Sequence, residues 1–173
     1  GVGNDVLSGG DGTADRVVYA GAVGDFTFSA NDDGSAITIT DTVTGDVDEG
    51  TDQLDGTFEE AQFSGESFVL TSGNADDEAL TAANVRSIIF GGGGTDTVTG
   101  GTAADLLFGG AGTDSVSGGA GADQLSGDAG DDTLVGGTGN DSLAGGGGTD
   151  RAVIADSVLS NPGDLARTIE VSP

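Results

Sequence analysis

Between Gly91 and Val153, single apolar residues recur every nine positions among small, polar and acidic ones. The seven units are GGGGTDTVT, GGTAADLLF, GGAGTDSVS, GGAGADQLS, GDAGDDTLV, GGTGNDSLA and GGGGTDRAV, with no insertion or deletion. Their eighth position is Val98, Leu107, Val116, Leu125, Leu134, Leu143 and Ala152. Its neighbours are mostly Thr, Ser or Gln, so each run reads as a strand of about three residues whose middle side chain turns inward. The glycines ahead of it predict a turn, because they reach positive φ and let carbonyls approach closely. A unit with one apolar residue cannot bury it alone; stacked copies make a shared core.

Elsewhere the pattern changes. Residues 1–17 hold one near-complete unit (Gly1, Gly3, Asp5, Leu7) and a second, GGDGTADRV, in which one extra residue separates the turn from Asp15. Residues 18–90 break the period and carry most of the phenylalanines. There FTFS at 26–29 and AITIT at 36–40 alternate as strands, joined through Asn31-Asp32-Asp33-Gly34 as a hairpin. SFVLT at 67–71 predicts another strand, and Asp76 to Val85 a short helix with Asn74 as its N-cap. SIIF at 87–90 leads back into the repeats. Residues 154–173 predict a turn at Asn161-Pro162-Gly163 and a last strand at 168–171. Both repeat blocks exit through a similar phrase, Asp15-Arg16-Val17-Val18 and Asp150-Arg151-Ala152-Val153. The tail therefore reads either as a truncated second module or as a C-terminal cap. Four segments result: a repeat fragment (1–17), an intervening β-rich module (18–90), the seven-repeat array (91–153) and the tail (154–173). Starting within a repeat, the chain reads as a piece of a longer protein.

Charge narrows the function. Thirty acidic residues face four Arg and no Lys, a net charge of -26. That excludes the basic surface on which nucleic-acid binding depends and disfavours anionic membranes. No apolar run reaches membrane-spanning length. Such a chain repels itself, so a compact state needs counter-charge, and bound cations are the economical source. Cys and His are absent, which argues against zinc or copper; oxygen ligands alone suit calcium. Without His or Lys, neither an activated serine nor a P-loop can be assembled. Glu59 and Glu60 are adjacent strand residues facing opposite ways, not a catalytic pair. No enzyme is expected.

The candidate chemistry sits in the sixth position of each unit: Asp96, Asp105, Asp114, Asp123, Asp132, Asp141 and Asp150, with Asp5 in the first block. Each lies where turn meets strand, beside carbonyls of successive turns, an oxygen-rich pocket suited to a hard cation. The cluster Asp46, Asp48, Glu49, Asp52 and Asp55 reads as a charged surface loop. Arg16 and Arg151 are expected to neutralise the ends of the Asp ladders.

Seven GGxGxDxUx units in register resemble the RTX (repeats-in-toxin) family, U being a large apolar residue. The resemblance implies an all-β, right-handed parallel β-roll with two repeats per turn and several calcium ions between adjacent turns. Asp carboxylates and turn carbonyls would hold them, here those of Gly92, Gly94, Gly101, Gly110, Gly112, Gly119, Gly121, Gly130, Gly137 and Gly139. It also implies export by a type I secretion apparatus, unfolded, to a secreted or cell-surface location. The 18–90 segment, with DRVVYAG, DTVTGD and GTDQL, looks like the β-rich sections that interrupt such repeats. The function expected is a calcium-binding structural module that folds after secretion. The alternative is a surface-layer or adhesin unit mediating calcium-dependent self-association or attachment to a cell-surface partner.

With two units per turn, Val98, Val116, Leu134 and Ala152 should stack on one sheet and Leu107, Leu125 and Leu143 on the other. The carboxylates split likewise into ladders at a strand spacing of about 4.8 Å, where like charges repel and favour protonation. Residues 91–153 are therefore expected to be largely disordered without calcium. Pairing units n and n+2 allows up to five internal sites. Ala103 replaces a turn glycine and should weaken one site; Asp128 and Asp131 should alter another. Ala152 should end its ladder. Leu106 and Phe108 flank inward Leu107 and should form an outward apolar patch on which the 18–90 module docks.

Overall fold

The computed structural model describes residues 4–10, 15–43, 50–55, 59–154 and 167–171, and every structural statement concerns these. Gly1, Gly3, Asp46, Asp48, Glu49 and the Asn161-Pro162-Gly163 turn lie outside them. The first repeat block supplies β1 (Val6–Leu7) and β2 (Arg16–Tyr19). The next segment supplies β3 (Phe26–Ala30), β4 (Ala36–Asp41), β5 (Thr51–Asp55), β6 (Glu60–Phe63), β7 (Glu66–Ser72), β8 (Ala79–Thr81) and β9 (Ser87–Gly93). The array supplies β10 (Thr97–Thr99), β11 (Leu106–Ala111), β12 (Ser115–Ala120), β13 (Gln124–Ala129), β14 (Thr133–Thr138), β15 (Ser142–Gly147) and β16 (Asp150–Ile154). The last strand is β17 (Arg167–Val171).

Successive units alternate between two sheets. Strands β8, β10, β12, β14 and β16 run parallel in one, and β7, β9, β11, β13 and β15 run parallel in the other. The fold is a parallel β-roll. Val98 pairs with Val116 and Leu134 with Ala152 on one side; Leu107 pairs with Leu125 and Leu125 with Leu143 on the other. These are the two ladders expected with two units per turn. Val98, Leu107 and Val116 are wholly buried, each worth about 2 kcal/mol. One such side chain per nine residues is a thin core.

The stacking register runs upstream of Gly91. Leu80 pairs with Val98, Ile89 with Leu107 and Val69 with Ser87, each 18 residues apart. The helix expected over Asp76 to Val85 is not formed; β8 stands in its place. The local composition favours a helix, but Leu80 fills an inward slot of the roll and the ladder bonds override propensity. Asn74 caps no helix: its Oδ1 accepts the Asp76 N–H at 2.7 Å in an Asx turn.

The intervening segment is β-rich as expected. β3, β4 and β5 are antiparallel neighbours, with the β3–β4 hairpin where the alternation puts it, and β1 adds to β5 in parallel. β6 and β2 extend the second roll sheet. Tyr19, Phe26 and Phe68 surround buried Phe63, with Tyr19 stacked on it at 5.2 Å. Leu106 is buried in this core, and Phe108 packs on it and stacks on Phe90 at 4.9 Å. The outward patch of the second repeat is thus the seat of the module. β17 covers β16 in antiparallel sense.

Candidate metal centres

Each array aspartate sits at the end of a turn, one residue before its strand or, for Asp150, as its first residue. Its Oδ1 accepts the backbone N–H of the residue 18 positions earlier. Asp96 N–H donates to Asp114 Oδ1 at 2.8 Å, Asp114 N–H to Asp132 Oδ1 at 2.8 Å and Asp132 N–H to Asp150 Oδ1 at 3.1 Å. On the other side Asp105 N–H donates to Asp123 Oδ1 at 2.9 Å and Asp123 N–H to Asp141 Oδ1 at 3.1 Å. A return bond accompanies each, such as Ser115 N–H to the Asp96 carbonyl at 2.8 Å. The carboxylates therefore form two columns, as the 18-residue repeat requires.

These side chains are buried: Asp96, Asp105, Asp114, Asp123, Asp132 and Asp150 are all at most 4% exposed, and Asp141 is half-buried. A buried carboxylate is costly unless paired. Yet Oδ2 of Asp96, Asp114, Asp123 and Asp132 is buried with no hydrogen-bond partner. The first glycine of each unit explains where that oxygen faces. A Cβ on Gly109 would stand 2.6 Å from Asp114 Oδ2 and 2.8 Å from the Gly127 carbonyl oxygen. A Cβ on Gly118 would meet Asp123 Oδ2 and the Gly136 carbonyl, and one on Gly127 would meet Asp132 Oδ2 and the Gly145 carbonyl. Absence of a side chain leaves a cradle where a carboxylate oxygen and a carbonyl of the next coil face one point. Oxygen donors, an unpaired anion and no nitrogen or sulfur fit a hard cation such as calcium. Among the described residues no three acidic side chains converge, and the oxygens that face the carboxylates across the cradles are backbone carbonyls.

The turns that present those carbonyls depend on positive φ. Gly92, Gly94, Gly110, Gly112, Gly119, Gly121, Gly130, Gly137 and Gly139 lie between +90° and +142°. Gly101 does not share that conformation, and neither does Ala103, which stands where the other units have glycine. In this turn the Gly101 N–H donates to Asp105 Oδ2 at 2.9 Å, so Asp105 has no orphaned oxygen. Asp128 takes a glycine position at φ +70°, with its Oδ1 accepting the Ser126 hydroxyl at 2.6 Å.

Burial raises the carboxyl pKa of five of the column aspartates. It pushes Asp123 and Asp132 to about 6, and Asp96, Asp105 and Asp114 also upward. The backbone N–H bonds oppose this, and neighbouring carboxylates add to it. Mutual repulsion, the cause the period suggests, is secondary to desolvation.

Asp5 is half-buried in a ladder of its own: its N–H donates to Asp52 Oδ1 at 3.0 Å, and Gln53 N–H returns to its carbonyl at 2.9 Å. Asp52 is therefore buried in register with Asp5 instead of lying on a charged loop. Asp15 N–H donates likewise to Glu59 Oε2 at 2.8 Å, and Asp15 Oδ2 is buried without a hydrogen-bond partner. Arg16 pairs with Glu60 at 3.7 Å and not with a ladder carboxylate. Sequence reasoning thus missed Asp52, Glu59, Glu78 and Ser87 as ladder positions. The signal was an acidic residue two before an apolar one, in Asp52-Gln53-Leu54, Glu59-Glu60-Ala61 and Glu78-Ala79-Leu80.

No curated protein matches the chain. The family model of the RTX calcium-binding nonapeptide repeat (4 copies) matches residues 1–13, 90–125 and 126–152. Those residues take in the two Asp columns and the glycine turns between them, and over them the chain is similar to the RTX calcium-binding nonapeptide repeat family.

Proposed function

We propose that residues 91–153 take up several calcium ions between stacked turns and that the chain is a calcium-dependent structural module of a larger secreted or cell-surface protein. The ions are held by Asp96, Asp114, Asp132 and Asp150 on one side and by Asp105, Asp123 and Asp141 on the other, with carbonyls of the positive-φ turns. The observation that carries this reading is the set of buried Oδ2 atoms lacking a partner, each beside a glycine cradle. Calcium supplies the counter-charge that these oxygens lack. Asp105 has to give up its Gly101 bond to take an ion, so its site is the weakest. Asp5, bridged to Asp52, is a further candidate ligand.

The net charge of -26 supports export as an unfolded chain from a calcium-poor compartment through a type I apparatus, followed by folding outside. Extracellular modules bind calcium at roughly 10⁻⁴–10⁻³ M, which matches such a switch. Among the described residues no helix is long and apolar enough to cross a membrane. The family's repeats are structural, and the module needs no catalytic role.

Calorimetric titration with calcium, paired with far-UV circular dichroism in chelator, tests the proposal. Heat from several ions and a gain of β signal are expected. A β-rich spectrum unchanged by chelator would overturn it.

A further inference from the structure

The coil at 73–90 keeps the 18-residue register but lacks both aspartates; Glu78 and Ser87 stand in their positions. It docks on the array as the other coils do on one another. Glu78 N–H donates to Asp96 Oδ1 at 2.9 Å and Ser87 N–H to Asp105 Oδ1 at 2.8 Å. Its own acidic group behaves differently. Glutamate is one methylene longer than aspartate, and both its oxygens turn back onto Asn74. Oε2 accepts the Asn74 N–H at 2.9 Å, and Oε1 accepts the Asn74 Nδ2–H at 2.5 Å.

Gly73 occupies the first-glycine position of this coil, and a Cβ there would meet Glu78 Oε2 and the Gly91 carbonyl. The same pair of oxygens lines the cradles of the array. Here, though, the carboxylate is satisfied by protein donors, whereas Asp96 in the next coil of that column has a buried oxygen with none. On the second sheet Ser87 removes the charge altogether, and its hydroxyl donates to the Val85 carbonyl at 3.0 Å.

We propose that Glu78 and Asn74 close this coil without a cation, making residues 73–90 a metal-independent template on which the calcium-dependent array stacks. The inference rests on the reading that the array itself requires calcium. Apolar burial supports it. All seven residues of β9 are buried; Ile88 and Phe90 join the core of the intervening module, while Ile89 joins the ladder of the roll. One strand is thus anchored in both cores. On its far side β7 pairs with it, and the Arg86 carbonyl accepts the Val69 N–H at 2.9 Å. Of the array strands, β11 shares this anchoring through Leu106 and Phe108, but β12 to β15 have no comparable apolar mass, so their order depends on the charge of the columns being met.

Amide hydrogen exchange on the whole chain, in chelator and then in calcium, reads this strand by strand. In chelator, β8 and β9 should exchange at least about tenfold more slowly than β12 to β15, and calcium should then slow the latter. Glu78→Ala should remove the protection of β8 in chelator while calcium still protects β12 to β15. Asn74→Ala, which takes away one of two donors, should give a smaller loss in the same direction. If β8 and β9 exchange freely in chelator while calcium protects the array, the template is overturned and calcium binding by the array stands. If the array is equally protected in chelator, both fall. Unchanged exchange of β8 in both variants overturns the role given to Glu78 and Asn74.

Discussion

Asp114 carries the whole argument in one side chain. One oxygen holds the neighbouring coil by a backbone bond, and the other is buried with nothing to meet it. Asp114→Asn keeps the shape and removes the charge, so calorimetry should count one ion fewer. Asp105→Asn should change calcium uptake less, since Asp105 Oδ2 already has Gly101. Gly109→Ala places a Cβ against Asp114 Oδ2 and the Gly127 carbonyl. It should lose the same ion and destabilise the calcium-loaded roll by about 1–3 kcal/mol, read by thermal unfolding. Gly24→Ala, with nothing near its Cβ, is the neutral control.

Protonation acts on the same atoms. In the ion-free fold Asp123 and Asp132 titrate at about 6, against an ordinary value of 3.8. Between those values the folded chain binds more protons than the unfolded one. Stability therefore falls as pH rises from about 4 to about 6, and the full benefit is present only below about 4. In chelator, circular dichroism should report more β structure at pH 5 than at pH 7. The double variant Asp123→Asn, Asp132→Asn should flatten that dependence.

At the scale of elements, alternation of units between two sheets was legible through the family resemblance, which puts two nine-residue units in each turn. The hairpin of β3 and β4 was legible from its alternation of two. β8 was not. Asp77-Glu78-Ala79-Leu80 has helical composition, and the glycines that mark a turn elsewhere are Asn74 and Asp76 here. The offset of 18 from Thr97 to Ala79, with Glu78 two before Leu80, reveals it. The Asp5–Asp52 and Asp15–Glu59 ladders were hidden because their partners lie 47 and 44 residues apart, outside any repeat. Desolvation of the columns was hidden too, since a sequence shows which charges are neighbours but not how dry their surroundings are.

Contact between module and roll runs through a few large side chains. Phe108 stacks on Phe90, and Leu106 is 8% exposed. Phe108→Ala should cost about 2–3 kcal/mol, below the range for a fully buried ring, because Phe108 is half-buried. Scanning calorimetry in calcium should then resolve two unfolding transitions where the parent chain gives one.

For the whole molecule, the register of 18 makes length a quantised property. Each coil of the array brings Asp, glycine cradle and apolar residue together onto its neighbours at that spacing. Inserting or deleting two adjacent units leaves every downstream residue on its own face. Removing one unit sends the remainder to the opposite face, exchanging the two columns beyond the cut and carrying the β16–β17 pair to the other sheet. A change of length within 91–153 that is not a multiple of nine separates carboxylates from carbonyls for all that follows. Such an array can grow or shrink by duplication of paired units but not by drift of single residues, which accounts for seven copies without a slip.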